Sequence, residues 1–386
     1  MSVSDLPPEI RDAIIDELQG DKKSLLRASL VCRAFCPRTR VHLFSIASLT
    51  GKSDCDRLRE LITLSPQLAL HFKFLHIAFL DPIENYGALT VIESLIDVTR
   101  LSLAYGDWRY MPHSVVSSLQ SHSYRIFNIT IFQFTSIGEI CSLLKNSPNL
   151  ERERIACKDD NITGQCTSNH SLRFTPAPAV VDVNGSDSRT ILKSVLSSSP
   201  CLFSCSNIDV LKITLRDANT ATLQCLKQYL ARSHRSLKHL HVTHLHPGFA
   251  TASSETLHVS SVEQIEVTTW LALSSIKQAP HLFEWWISNL SAVNEHCAIR
   301  SFMFTFLDPN WSDFGKTHPA WAWEDLWMRL DGCLSSSKMT LLERVAITFL
   351  ARPTEWNVLK TSMEKYFVGL KQLGCEVALN AGAGLA

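Results

Sequence analysis

Residues 6–44 read LPPEIRDAIIDELQGDKKSLLRASLVCRAFCPRTRVHLF. Pro7 and Pro8 suit a helix start, where a missing N–H costs nothing and φ is preset. Glu9 follows in the first turn, favourable to the helix dipole. Ile10, Ile14 and Leu18, with Ile15 beside them, recur at helical spacing and predict one apolar stripe. Gln19-Gly20-Asp21 ends that helix, with Gly20 as its C-cap residue. Leu25, Leu26, Ser29, Leu30 and Arg33 then predict a second helix through Phe35. Pro37 interrupts it, and a third short helix through Arg40 carries Leu43 and Phe44. Three short helices cannot bury all these faces among themselves, so the remainder needs a partner or a following domain.

The order Leu6-Pro7-x-Glu9-Ile10, Ile14, Leu18, Leu26, Ser29-Leu30-Val31-Cys32-Arg33-x-Phe35, Arg40, Leu43, Phe44 resembles an F-box over residues 4 to 48. At the exit, Phe44 stands where many members carry Trp, which loses an indole donor and keeps an apolar anchor. The resemblance implies docking on the adaptor subunit of an SCF-type ubiquitin ligase, and through it on a cullin. It places Leu6, Pro7, Ile10, Leu26, Leu30, Val31 and Cys32 against the adaptor. Glu9, Ile14, Leu18, Arg33, Phe35, Leu43 and Phe44 take the structural positions of the box or flank that surface. The plainer alternative is that these helices only cap the array behind them.

Beyond Ala47, short alternating segments recur: Leu75-x-Ile77, Leu101-x-Leu103, Ile129-x-Ile131, Leu211-x-Ile213, Leu240-x-Val242 and Ile265-x-Val267. Neighbouring starts lie 26, 28, 29 and 25 residues apart, and helix-like stretches such as Leu58–Leu64 and Ile137–Leu144 precede them. The phrases Ser65-Pro66-Gln67-Leu68, Ser147-Pro148-Asn149-Leu150, Ser199-Pro200-Cys201-Leu202 and Ala279-Pro280-His281-Leu282 read as helix ends. A helix and a strand every 25–29 residues is the period of leucine-rich repeats. Residues 49–386 are therefore expected to form an irregular leucine-rich-repeat-like solenoid of helix–strand units, an α/β fold behind the three helices. An ordinary α/β sandwich shares the pattern. The polar stretch of about 151–189 reads as a mobile loop or insert. Eight of the nine tryptophans fall between Trp270 and Trp356, as core or as an interaction surface. A closing helix from Trp356 to Leu373 stops at Gly374, and Val377-Ala378-Leu379 reads as a last strand.

Composition bounds the function. Lys+Arg and Asp+Glu are 37 each, so no basic field marks a nucleic-acid binder. No run of apolar residues is long enough for a membrane span. Met1 to Ile10 lacks the basic start and apolar core of a secretory signal. The twelve cysteines then act as small hydrophobes in a reducing cytoplasm or nucleus.

Chemistry finds little purchase. Strand alternation turns His239 and His241, in the group His234 to His246, away from the core. They lack an acid or thiol at matched spacing for a metal. Cys32/Cys36 and Cys201/Cys205 have no second pair at zinc spacing. Thr50-Gly51-Lys52-Ser53 fails as a phosphate loop, because the glycine required five positions before Gly51 is Ile46. Asp159 and Asp160 adjoin in a polar loop. No cofactor or metal site and no catalysis are expected. The sequence is read as a substrate receptor holding an unidentified protein substrate. An interaction scaffold is the alternative, followed by an enzyme whose site lies in the tryptophan-rich part.

Overall fold

Among the described residues, apolar positions alternate with polar ones in runs of four to seven, and such runs form strands that pair in parallel with their neighbours inside each unit. The structure, a computed structural model, describes residues 6–157, 177–184, 208–215, 220–232, 237–245, 256–270, 279–293, 297–307, 324–349, 357, 360–361 and 363–381. They form a mixed α/β fold in two compact units, one of residues up to Glu151 and one from Arg152 onward.

The first unit opens with three helices, α1 (Pro8–Asp16), α2 (Lys22–Val31) and α3 (Cys36–Leu43). Their shared core is Ile15, Leu25 and Phe35, with Leu18, Ala28, Cys32 and Leu43 packed against it. Three expectations are corrected. Helix α1 stops at Asp16, with Glu17 and not Gly20 in the cap position. Its buried apolar position is Ile15, while Ile10 and Ile14 face water. Helix α2 ends at Val31 because Cys32 turns extended, and a 3-10 turn over Arg33–Phe35 leads into α3. Pro37 therefore opens the third helix, where its ring is harmless.

Strands β1 (Ile46–Leu49), β2 (Phe74–Ile77), β3 (Arg100–Ala104) and β4 (Ile126–Phe132) come next, with α4 (Lys52–Leu64), α5 (His113–Ser121) and α6 (Ile137–Leu144). The register aligns Leu75, Leu101 and Phe127 in one buried column and Ile77, Leu103 and Ile129 in the next. The repeat is thus 26 residues at both steps, and the aligned pair on β4 is Phe127-x-Ile129. Ile131 leaves the alternation: its φ is 54° and its side chain is exposed. Tyr105, the residue after β3, has the same φ of 54° and is exposed too. A β-branched residue in the left-handed region is strained.

The second unit pairs eight strands in parallel. They are β5 (Arg152–Cys157), β6 (Val180–Val183), β7 (Val210–Leu215), β8 (His239–His244), β9 (Gln264–Trp270), β10 (Ser301–Leu307), β11 (Arg344–Phe349) and β12 (Glu376–Ala381). Strands β5 and β6 lie inside the stretch expected to be a loop or insert, and their pairing runs Arg152↔Val180↔Val210. The period continues there, at 28 and then 30 residues. The rest of that stretch, 158–176 and 185–189, lies outside the described residues.

The described helices of the second unit are α7 (Thr220–Arg232), α8 (Ala279–Ser291), α9 (Glu324–Leu334) and α10 (Val368–Gln372). Ala279-Pro280 opens α8, where the sequence phrase suggested a helix end. Gly374 does stop α10, with φ at 76° and its N–H donating to the Lys371 carbonyl. Trp285, Trp286 and Trp327 are buried, Trp270 is exposed, and Trp311, Trp321, Trp323 and Trp356 fall outside the described residues. Phe283 meets Trp327 edge-on at 4.6 Å, and Phe306 stacks on Phe349 at 4.6 Å. Each fully buried side chain of this size contributes roughly 1.5–3 kcal/mol.

Candidate functional site

The helical module satisfies its own core and leaves other apolar residues in water. Leu30 and Val31 are 87% and 72% exposed, and Leu26 and Ile10 about half exposed at 48% and 49%. Leu26 and Leu30 lie one turn apart on α2, as Ile10 and Ile14 do on α1, so each helix carries an uncovered apolar stripe. Leu6 is half-buried, and Pro7 is the exposed residue in the cap position of α1. Cys32 differs from the other residues assigned to adaptor contact, since it packs on the module's core and its Sγ accepts the Ala34 N–H at 3.4 Å. Among the structural positions, Phe35 is buried, Leu18 and Leu43 pack against the shared core, and Glu9 and Arg33 are exposed. Phe44 meets Phe72 edge-on at 6.2 Å, seating the end of α3 on the first repeat.

Two polar devices that fix the module were missed in the sequence. Asp16 at the end of α1 receives Arg38 Nη2 and His42 Nε2, both at 2.6 Å, from α3. The Arg38 guanidinium and then His42 hold the Asp16 carboxyl at about 2, below the usual carboxylate range. The partners lie 22 and 26 residues away, which no local pattern encodes. Asp21 caps α2 through the N–H groups of Lys23 and Ser24, at 2.9 and 3.2 Å. An Asp directly before a helical pattern was the available signal.

The histidine group divides by face. His239 and His241 stand opposite the buried residues Leu240 and Val242, as alternation predicts. Register brings Glu266 of β9 beside both, its Oε2 lying 3.4 Å from His239 Nε2 and 3.7 Å from His241 Nδ1. The acid absent from the local sequence therefore comes from the next strand. Burial pulls the His241 imidazole below its usual range, with Glu266 opposing. His244 is on the core face, where Trp286 Nε1 donates to its Nε2 at 3.2 Å and burial drops its pKa to about 3. His234 and His246 lie outside the described residues.

Among the described residues, no group of three or more His, Cys, Asp or Glu side chains is arranged to hold a metal ion. The Gly51-Lys52 turn does open a helix, but the Lys52 N–H is already taken by the Asp81 carboxylate at 2.6 Å. Cys201, Cys205, Asp159 and Asp160 are outside the described residues. No described helix is long and apolar enough to cross a membrane. One carboxylate stands out. Glu153 on β5 is fully buried, and neither of its carboxyl oxygens has a hydrogen-bond partner among the described residues. Its column continues with Val181 and Leu211, and burial pushes its pKa well up. No protein-family model matches the chain, and comparison with curated proteins finds no relative.

Proposed function

We propose that this chain is the substrate-recognition subunit of an SCF-type ubiquitin ligase, acting in the cytoplasm or nucleus. On this reading α1–α3 are an F-box that docks the ligase adaptor, and through it a cullin. The helix–strand units behind them are a leucine-rich-repeat-like solenoid that holds a protein substrate. The chain contributes proximity and orientation to ubiquitin transfer, with bond chemistry left to other subunits.

The observation that carries the reading is the exposure of Leu30 and Val31 on a module whose core is already filled by Ile15, Leu25 and Phe35. Large aliphatic side chains in water on a short helix fit burial by another protein. Co-purification with recombinant adaptor tests it, comparing the intact chain with Leu30→Glu/Val31→Glu. Both residues are solvated, so the substitution should leave the helical signal unchanged and weaken capture by about a hundredfold or more. Failure of the folded intact chain to hold the adaptor defeats the proposal.

A further inference from the structure

We propose that the polar sheet face of β5–β9 binds acidic peptide segments and reads two carboxylates about three residues apart. This deepens the receptor reading by naming the chemistry of its substrate. The register places Arg154, Asp182, Lys212, His241 and Glu266 in one row, one residue per strand. The next residue along each strand, Ile155, Val183, Ile213, Val242 and Val267, is buried on the opposite face.

The charges in this row are not equally presented. Asp182 and Glu266 are recessed, their side chains 25% and 26% exposed, whereas Arg154 is 51% exposed. Glu266 lies between the imidazoles of His239 and His241, whose facing nitrogens are shielded from water and make no hydrogen bond among the described residues. Asp182 lies 3.5 Å from Arg154 Nε. The acids thus serve neighbouring groups, while Arg152 and Arg154 are exposed and half-buried Lys212 adds a further positive charge on the same face.

Arg154 and Lys212 sit two strands apart, on the order of 10 Å at the usual strand spacing. A peptide in polyproline II conformation crossing the strands covers that distance in about three residues, one full turn that returns both side chains to the same side. Asp182 between them repels a third carboxylate, so the intervening residues must be neutral or basic. A nucleic-acid backbone, with a phosphate at every step, meets both Asp182 and Glu266 and fits less well.

The test is fluorescence anisotropy of the full chain at low salt with a synthetic peptide containing Glu-Ser-Ser-Glu. Saturable binding is expected, weakened about tenfold or more by Lys212→Glu and by Arg154→Gln. A contiguous glutamate run should bind less tightly. Absence of saturable binding overturns the proposal. So does equal affinity for Lys-Ser-Ser-Lys, indifference to both substitutions, or tighter binding of oligothymidylate. Adaptor capture is measured on the same preparations. Peptide binding without adaptor capture defeats the receptor reading and leaves this surface standing, and the reverse result defeats the surface alone.

Discussion

The ring of Phe132 fills the space that a side chain on Gly106 would need: a Cβ built there would lie 2.4 Å from Phe132 Cε2. Phe132 cannot swing clear, because Trp108 and Phe134 pack around it at 6.4 and 5.2 Å. The close approach arises from Tyr105 and Ile131, whose positive φ values shift the alternation so that Phe132 takes the core position. Gly106→Ala should therefore destabilise the protein by about 1–3 kcal/mol. Denaturant unfolding checks this, and an unchanged midpoint would contradict the packing account.

His244 makes stability depend on pH. In the unfolded chain its imidazole takes a proton near pH 6.5, but in the folded protein only near 3. Between those values the unfolded state binds more protons, so stability is full above 6.5 and declines as pH falls towards 3. The contribution is on the order of a few kcal/mol. Unfolding measured from pH 7 to 4 should lose part of its slope in His244→Gln. An identical slope would show that other groups set the acid sensitivity.

Glu153 has the opposite sign. Its folded pKa is raised, so its proton stays on while the unfolded carboxyl ionises near 4.5. Whatever stability this adds is present below 4.5 and is lost as pH rises towards the folded value. Replacing the buried carboxyl by an aliphatic group suited to the column of Val181 and Leu211 should stabilise. We expect Glu153→Leu to gain about 1–3 kcal/mol at neutral pH, with the gain shrinking in acid. A loss of stability at pH 7 would mean that the carboxyl has a role the column does not reveal.

These residues also mark the limit of what sequence reading could reach. Runs such as Leu211-x-Ile213 and Leu240-x-Val242 alternate cleanly because one face is buried, and they became β7 and β8. Strand β5 was hidden because RERIAC carries Glu153 where its neighbours carry aliphatic residues. Ile131 misled for the converse reason, since an apolar residue of core parity is turned outward by its own φ. The exposed stripe of α2 was legible, because Leu26 and Leu30 share a helix. The row from Arg154 to Glu266 was not, because each member sits on a different strand and only register aligns them.

The Asp16 clamp gives the helical module a stability of its own to lose. Asp16 joins α1 to α3 through Arg38 and His42, while the apolar contribution of α1 to the shared core is chiefly Ile15. Asp16→Asn removes the charge that both partners seek and keeps the side chain's size. Amide hydrogen exchange in α1 should then accelerate by about tenfold or more, with β2–β4 unchanged. In the unmodified chain the clamp persists above the ordinary carboxyl range near 3.8 and fails as pH falls through about 2. Uniform acceleration across both helices and strands would show that the module does not open as a separate element. Unchanged exchange in α1 would mean that Ile15 alone suffices to hold it.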